Sequence, residues 1–247
     1  MYDRLFVQVC GMFNGLHAIT ILLFFALLML LLYLSRHMTE AKTHKLLCWV
    51  AIIVSVLEIV KITSRVLQGY GPDSWVPLYY CSLFIFAIWL TLSGKASIRR
   101  AGCAYITMGG IVASVFFTFY PSTSLGMYPL LHPATFHSFI YHLIMCYTGL
   151  MLLWKGGYVP QKRDGLYYFL FVFGACIPAV ILNEVIGTNC MFLRHPFNLP
   201  LLQPLLEFSK PLYILVTSLA QAVGLYWVDF GLYGIYKRLK FAEAVHR

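Results

Sequence analysis

The chain has 247 residues, a formal charge of +9, 60% apolar residues and only 11% charged ones. That balance lies outside the range of soluble globular domains and points to a membrane protein. It argues against nucleic-acid binding, because no basic patch is interleaved with exposed aromatics.

Seven apolar stretches of about 18 to 25 residues are each long enough to cross a hydrocarbon core of about 30 Å. In that medium backbone groups must be satisfied internally, so each is expected to be a helix. The expected fold class is all-α: a polytopic bundle of seven transmembrane helices forming one integral membrane domain over residues 1–247. No internal repeat or soluble domain is visible.

The first stretch, Gly15–Leu34, is longer than a signal-peptide core and has no small-residue cleavage site after it, so it is expected to be retained. The second, Leu46–Leu67, carries Glu58, Lys61 and Arg65 at steps of three and four. Such steps place them within an arc of roughly 60° on one helix face. Charges inside a span face protein or a water-filled cavity. Two readings stay open: an ion pair with Arg65 reaching to headgroups, or the polar wall of a site in which Lys61 or Arg65 attracts a lipid phosphate.

The third stretch, Trp75–Ser93, contains Cys81, either a packed thiol or a nucleophile activated by a neighbouring base. The fourth is Gly102–Tyr120. The fifth, Phe136–Trp154, holds His142 at a depth near that of Cys81, with His132 and His137 nearer the surface. A histidine in a span is a functional candidate, although a neutral histidine with one hydrogen bond to a neighbouring helix reads equally well. No second ligand set accompanies the three histidines, so no metal and no cofactor are expected. The sixth, Leu166–Ile186, ends with Asn183, able to bond across helices, and Asn189 follows in the next link. That link, 187–210, is long and contains three prolines, which suits a lid or a re-entrant segment. The seventh is Pro211–Tyr236.

The loops orient the bundle. Arg36, Lys42, Lys45, Lys95, Arg99, Arg100, Lys155, Lys162 and Arg163 lie in alternate loops, and Lys237, Arg238, Lys240 and Arg247 in the tail. Only Arg4, Arg194 and Lys210 lie in the others, which predicts an outside amino terminus and a cytoplasmic carboxyl terminus. The seven cysteines show no metal-type spacing, and Cys10 and Cys190, both on the outer side, are a candidate disulfide if that side is oxidising. Glu58, Lys61, Cys81, His142 and Asn183 then share one depth near the outer surface, which suggests one cavity.

Gly187-Thr-Asn-Cys-Met-Phe-Leu193, with Asn183, Pro196 and Lys210-Pro-Leu-Tyr213, resembles the YwaF-like integral membrane family. Pro77-Leu-Tyr-Tyr-Cys81-Ser82, Glu58-x-x-Lys61 and His142 extend the resemblance over the second to seventh stretches. That family is similar to a eukaryotic transmembrane acyltransferase that moves polyunsaturated acyl chains onto ether lysophospholipids. The resemblance implies Cys81 as acyl carrier and His142 as its general base, with a phospholipid or lysophospholipid as partner. The chain departs from the family pattern at Tyr79, where a histidine is usual, and at Cys190, where a tyrosine is usual. The leading expectation is a lipid acyltransferase in which Asn183 or a backbone amide holds the oxyanion. The rivals are a transporter or channel that uses Glu58, Lys61 and His142 as a polar path, and a non-catalytic seven-helix protein.

Overall fold

The structure is a computed structural model that describes residues 2–196, 200–224, 226–228, 230, 231, 233 and 234. The basic tail after residue 234, and the end of the seventh predicted stretch, lie outside the described residues. Among the described residues every regular element is helical. A short amino-terminal helix α1 (Tyr2–Phe6) precedes α2 (Gly15–Leu34), α3 (Glu40–Leu67), α4 (Leu83–Thr91), α5 (Ala96–Ala104), α6 (Ile111–Phe119), α7 (Pro133–Trp154), α8 (Asp164–Val185), α9 (Gln203–Phe208) and α10 (Lys210–Leu219). A π-helical turn, Tyr105–Gly110, joins α5 to α6, and another, Ala220–Gly224, continues α10.

Six of these helical runs are long and apolar enough to cross a membrane. The first predicted stretch coincides with α2. Helix α3 starts earlier than expected because Thr39 caps it, accepting the Lys42 amide, with Glu40 in the first turn. Helix α7 likewise starts at Pro133, whose missing N–H costs nothing in a first turn, capped by His132.

The third predicted stretch is the exception. Instead of a full span, Trp75–Ser93 gives only the nine residues of α4, about 14 Å of helix. Pro72 and Pro77 lack donors, and carbonyls of the preceding turn bond to other elements rather than along a helix. Irregular backbone at membrane depth is tolerated where protein surrounds it. The segment still connects the two ends of the bundle: Leu78 bonds to Met191 at one end, and Thr91 lines a cavity with Glu40 and Arg100 at the other.

Those ends differ in charge. At one, the amino-terminal segment pairs with the 121–132 loop (Leu130 amide to Arg4 carbonyl, 3.0 Å; Cys10 amide to Tyr128 carbonyl, 3.0 Å), and Asn189 meets Asp73. At the other lie the loops after α2, α4 and α7 with the first turns of α3 and α5, which together carry nine of the basic residues named above. A topology reporter inserted in the 121–132 loop is expected to be active only outside the cytoplasm, and one in the 155–163 loop only inside. The reverse result would invert the bundle.

The core centres on the α5–α6 run, the most deeply packed of the six. Its π turn is wholly buried, and a side chain on Gly109 would collide with the Tyr80 hydroxyl and the Tyr168 ring. Tyr80 and Tyr168 share a hydroxyl hydrogen bond of 2.6 Å, and Tyr168 also donates to the Gln221 carbonyl in the second π turn at 3.0 Å. Both π turns therefore meet one buried tyrosine, Tyr168. Helix α2 lies at the periphery and leaves Leu22, Leu23, Leu27 and Leu30 exposed, as a lipid-facing helix would.

Candidate functional site

Glu58, Lys61 and Arg65 share one face of α3, as their spacing predicts. Glu58 is 5% exposed, is ion-paired with Lys61, and has its second carboxylate oxygen 4.0 Å from His137 Nε2 on α7. It faces protein, in keeping with the cost of a lipid-exposed charge. Arg65, one turn further out, donates to the Tyr128 hydroxyl at 3.0 Å and packs against the faces of Tyr70 and Tyr128.

Cys81 lies in the turn that opens α4 and is half-buried. The backbone around it is held from three directions. The Leu78 carbonyl accepts the Met191 amide at 3.0 Å, the Tyr80 carbonyl accepts the Tyr105 hydroxyl, and the Cys81 carbonyl accepts the Tyr141 hydroxyl at 3.3 Å. The amides of Leu83 and Phe84 close the turn, bonding back to Tyr79, Tyr80 and Cys81. Among the described residues no backbone carbonyl accepts the amide N–H of Cys81 or Ser82, and the Cys81 amide is turned toward its own sulfur. A cysteine at a helix start, with amides that no carbonyl takes up, is a geometry suited to stabilising negative charge.

His142 is elsewhere. Its Nδ1 is 2.7 Å from the Ser138 carbonyl, and its ring stacks on Phe117 of α6 at 3.8 Å with an interplanar angle of 6°. Its Nε2 is buried without a partner, and neither nitrogen is bonded to the Cys81 sulfur. Tyr141, next in the chain, faces α4, and one residue turns a helix by about 100°. The shared depth of Cys81 and His142 is thus not a shared face. His137 lies one turn before Tyr141 on its face, and the two rings stack at 5.8 Å. Helical side chains lean toward the amino terminus, so the Tyr141 hydroxyl, and the Cys81 backbone it holds, lie near the level of His137. His137 Nε2 is also buried and is held by no hydrogen bond, with the Glu58 carboxylate 4.0 Å away. The i, i+4 spacing of His137 and Tyr141 was the sequence signal for this pairing.

Asn183 and Asn189 build the loop after α8. Asn183 accepts the Cys190 amide (2.7 Å) and the Thr188 hydroxyl (2.9 Å), and donates to the Cys190 carbonyl (3.0 Å). The Asn189 side chain takes the Arg194 and His195 amides and donates to the His195 carbonyl, while its amide meets Asp73. These bonds hold Met191 and Phe192 at φ of 54° and 53°, a left-handed conformation that is strained for bulky residues. Gln221 and Tyr213 secure the Met191 and Phe192 carbonyls. The two asparagines therefore act on Cys81 at a distance: they shape the loop whose Met191 amide holds Leu78. Asp73, Tyr105, Tyr141 and Gln221, all part of this clasp, carried no motif in the sequence.

The model of the TMEM164 family matches residues 12–228. The chain belongs to the TMEM164 family. The match spans every residue of the clasp, together with Glu58, Lys61 and His137. No curated protein and no solved structure matches the chain.

In this TMEM164-family chain all seven cysteines are free, so the Cys10–Cys190 disulfide is not formed. Burial pushes both thiols above their ordinary pKa, and the Arg4 charge only partly offsets this at Cys10, as the Thr188 hydrogen bond does at Cys190. Among the described residues no three His, Cys, Asp or Glu side chains group as a metal would require. Chemically, this end of the bundle offers a positioned thiol, two amides beside it that no carbonyl accepts, and a carboxylate–imidazole pair one helix away.

Proposed function

We propose that this protein is a membrane phospholipid acyltransferase that carries the acyl group on Cys81. The observation that supports this reading most is the clasped turn, in which three elements fix a half-buried cysteine and leave the Cys81 and Ser82 amides without a carbonyl partner. The thiolate attacks the ester carbonyl of a glycerophospholipid; the C–S bond forms and the amides of the α4 turn bind the oxyanion. The C–O bond breaks, and the departing glycerol oxygen takes the proton that the base removed from the thiol. A lysophospholipid hydroxyl then gives its proton to the base and attacks the thioester, restoring the thiol and a new ester. The base is assigned to His137, which shares the Tyr141 face, with Glu58 stabilising the imidazolium. Lys61 and Arg65 line the approach for the lipid phosphate. With the basic loops cytoplasmic, the site lies just beneath the outer headgroups, where glycerolipid esters are found.

Intact-mass analysis of protein purified from lipid is expected to show an acyl adduct that hydroxylamine removes. His137→Gln should slow its formation by about 10²- to 10⁴-fold, while His142→Gln, on the α6 face, should leave it. Loss of the adduct in His142→Gln alone would return the base to His142. If no adduct forms and deletion or overexpression changes no lipid species, the enzyme reading fails and a polar transport path through Glu58, Lys61 and His137 takes its place.

A further inference from the structure

We infer that the basic end carries a second binding site, for a zwitterionic group joining a phosphate to an amine, the headgroup chemistry of phosphatidylethanolamine. A cavity of about 150 Å³ opens there between the first turns of α3, the end of α4, the start of α5 and the turn after α7. It lies at the far end of the bundle from Cys81 and is independent of the acyl-transfer reading.

Its lining holds a cation and an anion, both exposed, that pair with no other side chain among the described residues. Arg100 is not the free cation: its Nε donates to Asp164 at 2.6 Å and its second nitrogen binds the same carboxylate, which also takes the Tyr158 hydroxyl and the Gln161 amide. Arg99, beside it, makes no ion pair or side-chain hydrogen bond among the described residues, and neither does Glu40. The Glu40 carboxylate rests against Gly157, where an added Cβ would fall 2.6 Å from its Oε1. Gly157 has φ of +67°, so glycine serves there both the left-handed turn and the room for the carboxylate. His44 adds an imidazole to the same lining. Two exposed charges of opposite sign on the lining of one small open cavity match a ligand that carries both: phosphate on Arg99 and His44, ammonium on Glu40. The volume is that of about five water molecules, enough for a phosphate with a two-carbon amine and too small for acyl chains. The ligand is then either a soluble phosphoamine or a lipid of the adjacent leaflet whose chains stay outside.

The test uses the full chain reconstituted in nanodiscs of equal phosphatidylethanolamine and phosphatidylglycerol, with retained lipid counted by native mass spectrometry after extraction. Wild type is expected to retain phosphatidylethanolamine at least about fivefold over phosphatidylglycerol. Glu40→Gln should bring that ratio to about one, and Arg99→Gln should lower retention of both lipids. Millimolar phosphoethanolamine should displace the retained lipid from the wild-type protein and raise its Tm in detergent, a readout that does not depend on how the variants fold. Stabilisation by phosphoethanolamine without selective lipid retention supports the site with a soluble ligand. A retention ratio near one in wild type, together with no Tm shift from phosphoethanolamine, overturns it.

Discussion

Cys81→Ser is expected to reduce acyl transfer by at least about a thousandfold, or about 4 kcal/mol on the barrier. Serine nearly preserves the side-chain volume, and the turn is held by backbone carbonyls rather than by the sulfur, so folding and insertion should be unchanged. The hydroxyl is far less ionised than a thiol at neutral pH, so a site tuned to a thiolate works poorly with it. The readouts are the hydroxylamine-labile adduct and cellular lipid composition, both of which should match a deletion strain. Cys48→Ser, at the basic end near His44, is the control and should behave as wild type. Full activity in Cys81→Ser would rule out covalent transfer through this residue.

Asn183→Ala is expected to cost about 2 to 4 kcal/mol of stability, because it leaves the Cys190 amide, the Cys190 carbonyl and the Thr188 hydroxyl without their partner in a buried loop. Asn183 itself is 2% exposed, so water does not replace the missing groups. The loop carries the Met191 amide that holds Leu78, so activity should fall together with Tm in detergent. A variant that keeps its Tm but loses kcat would instead put Asn183 on the oxyanion.

The family match and the Cys81 turn bear differently on these two experiments. The match to the TMEM164 family covers both residues and establishes a membrane protein of that family. The chemistry assigned to Cys81 rests on the local geometry and on the resemblance of Pro77–Ser82 and Gly187–Leu193 to an acyltransferase-like family, which is why a covalent adduct is the decisive readout.

Much of the architecture could be read from the residues alone. The membrane class and the spans matching α2, α3, α7 and α8 follow from apolar length, because a bilayer demands internally bonded helices about 20 residues long. The common face of Glu58, Lys61 and Arg65 follows from helical periodicity, and the burial of Glu58 from the cost of a charge in lipid. Composition cannot show where an apolar run stops being a helix. Trp75–Ser93 is apolar enough to span, yet Pro77 and the competing donors of Tyr105, Tyr141 and Met191 leave half of it as a turn. Nor does depth determine facing. Cys81 and His142 lie at similar depth, but a single step along α7 separates Tyr141, against the Cys81 turn, from His142, against Phe117. The partners of Asn183 and Asn189 were equally hidden, because an amide in a sequence names donors and acceptors without saying which backbone groups they will meet. The sequence by itself determined the solvent this chain lives in and the angular order of side chains on each helix. Only the tertiary structure decided which faces meet, because contacts between helices depend on how each rotates about its axis, and that is set jointly by all the neighbours it packs against.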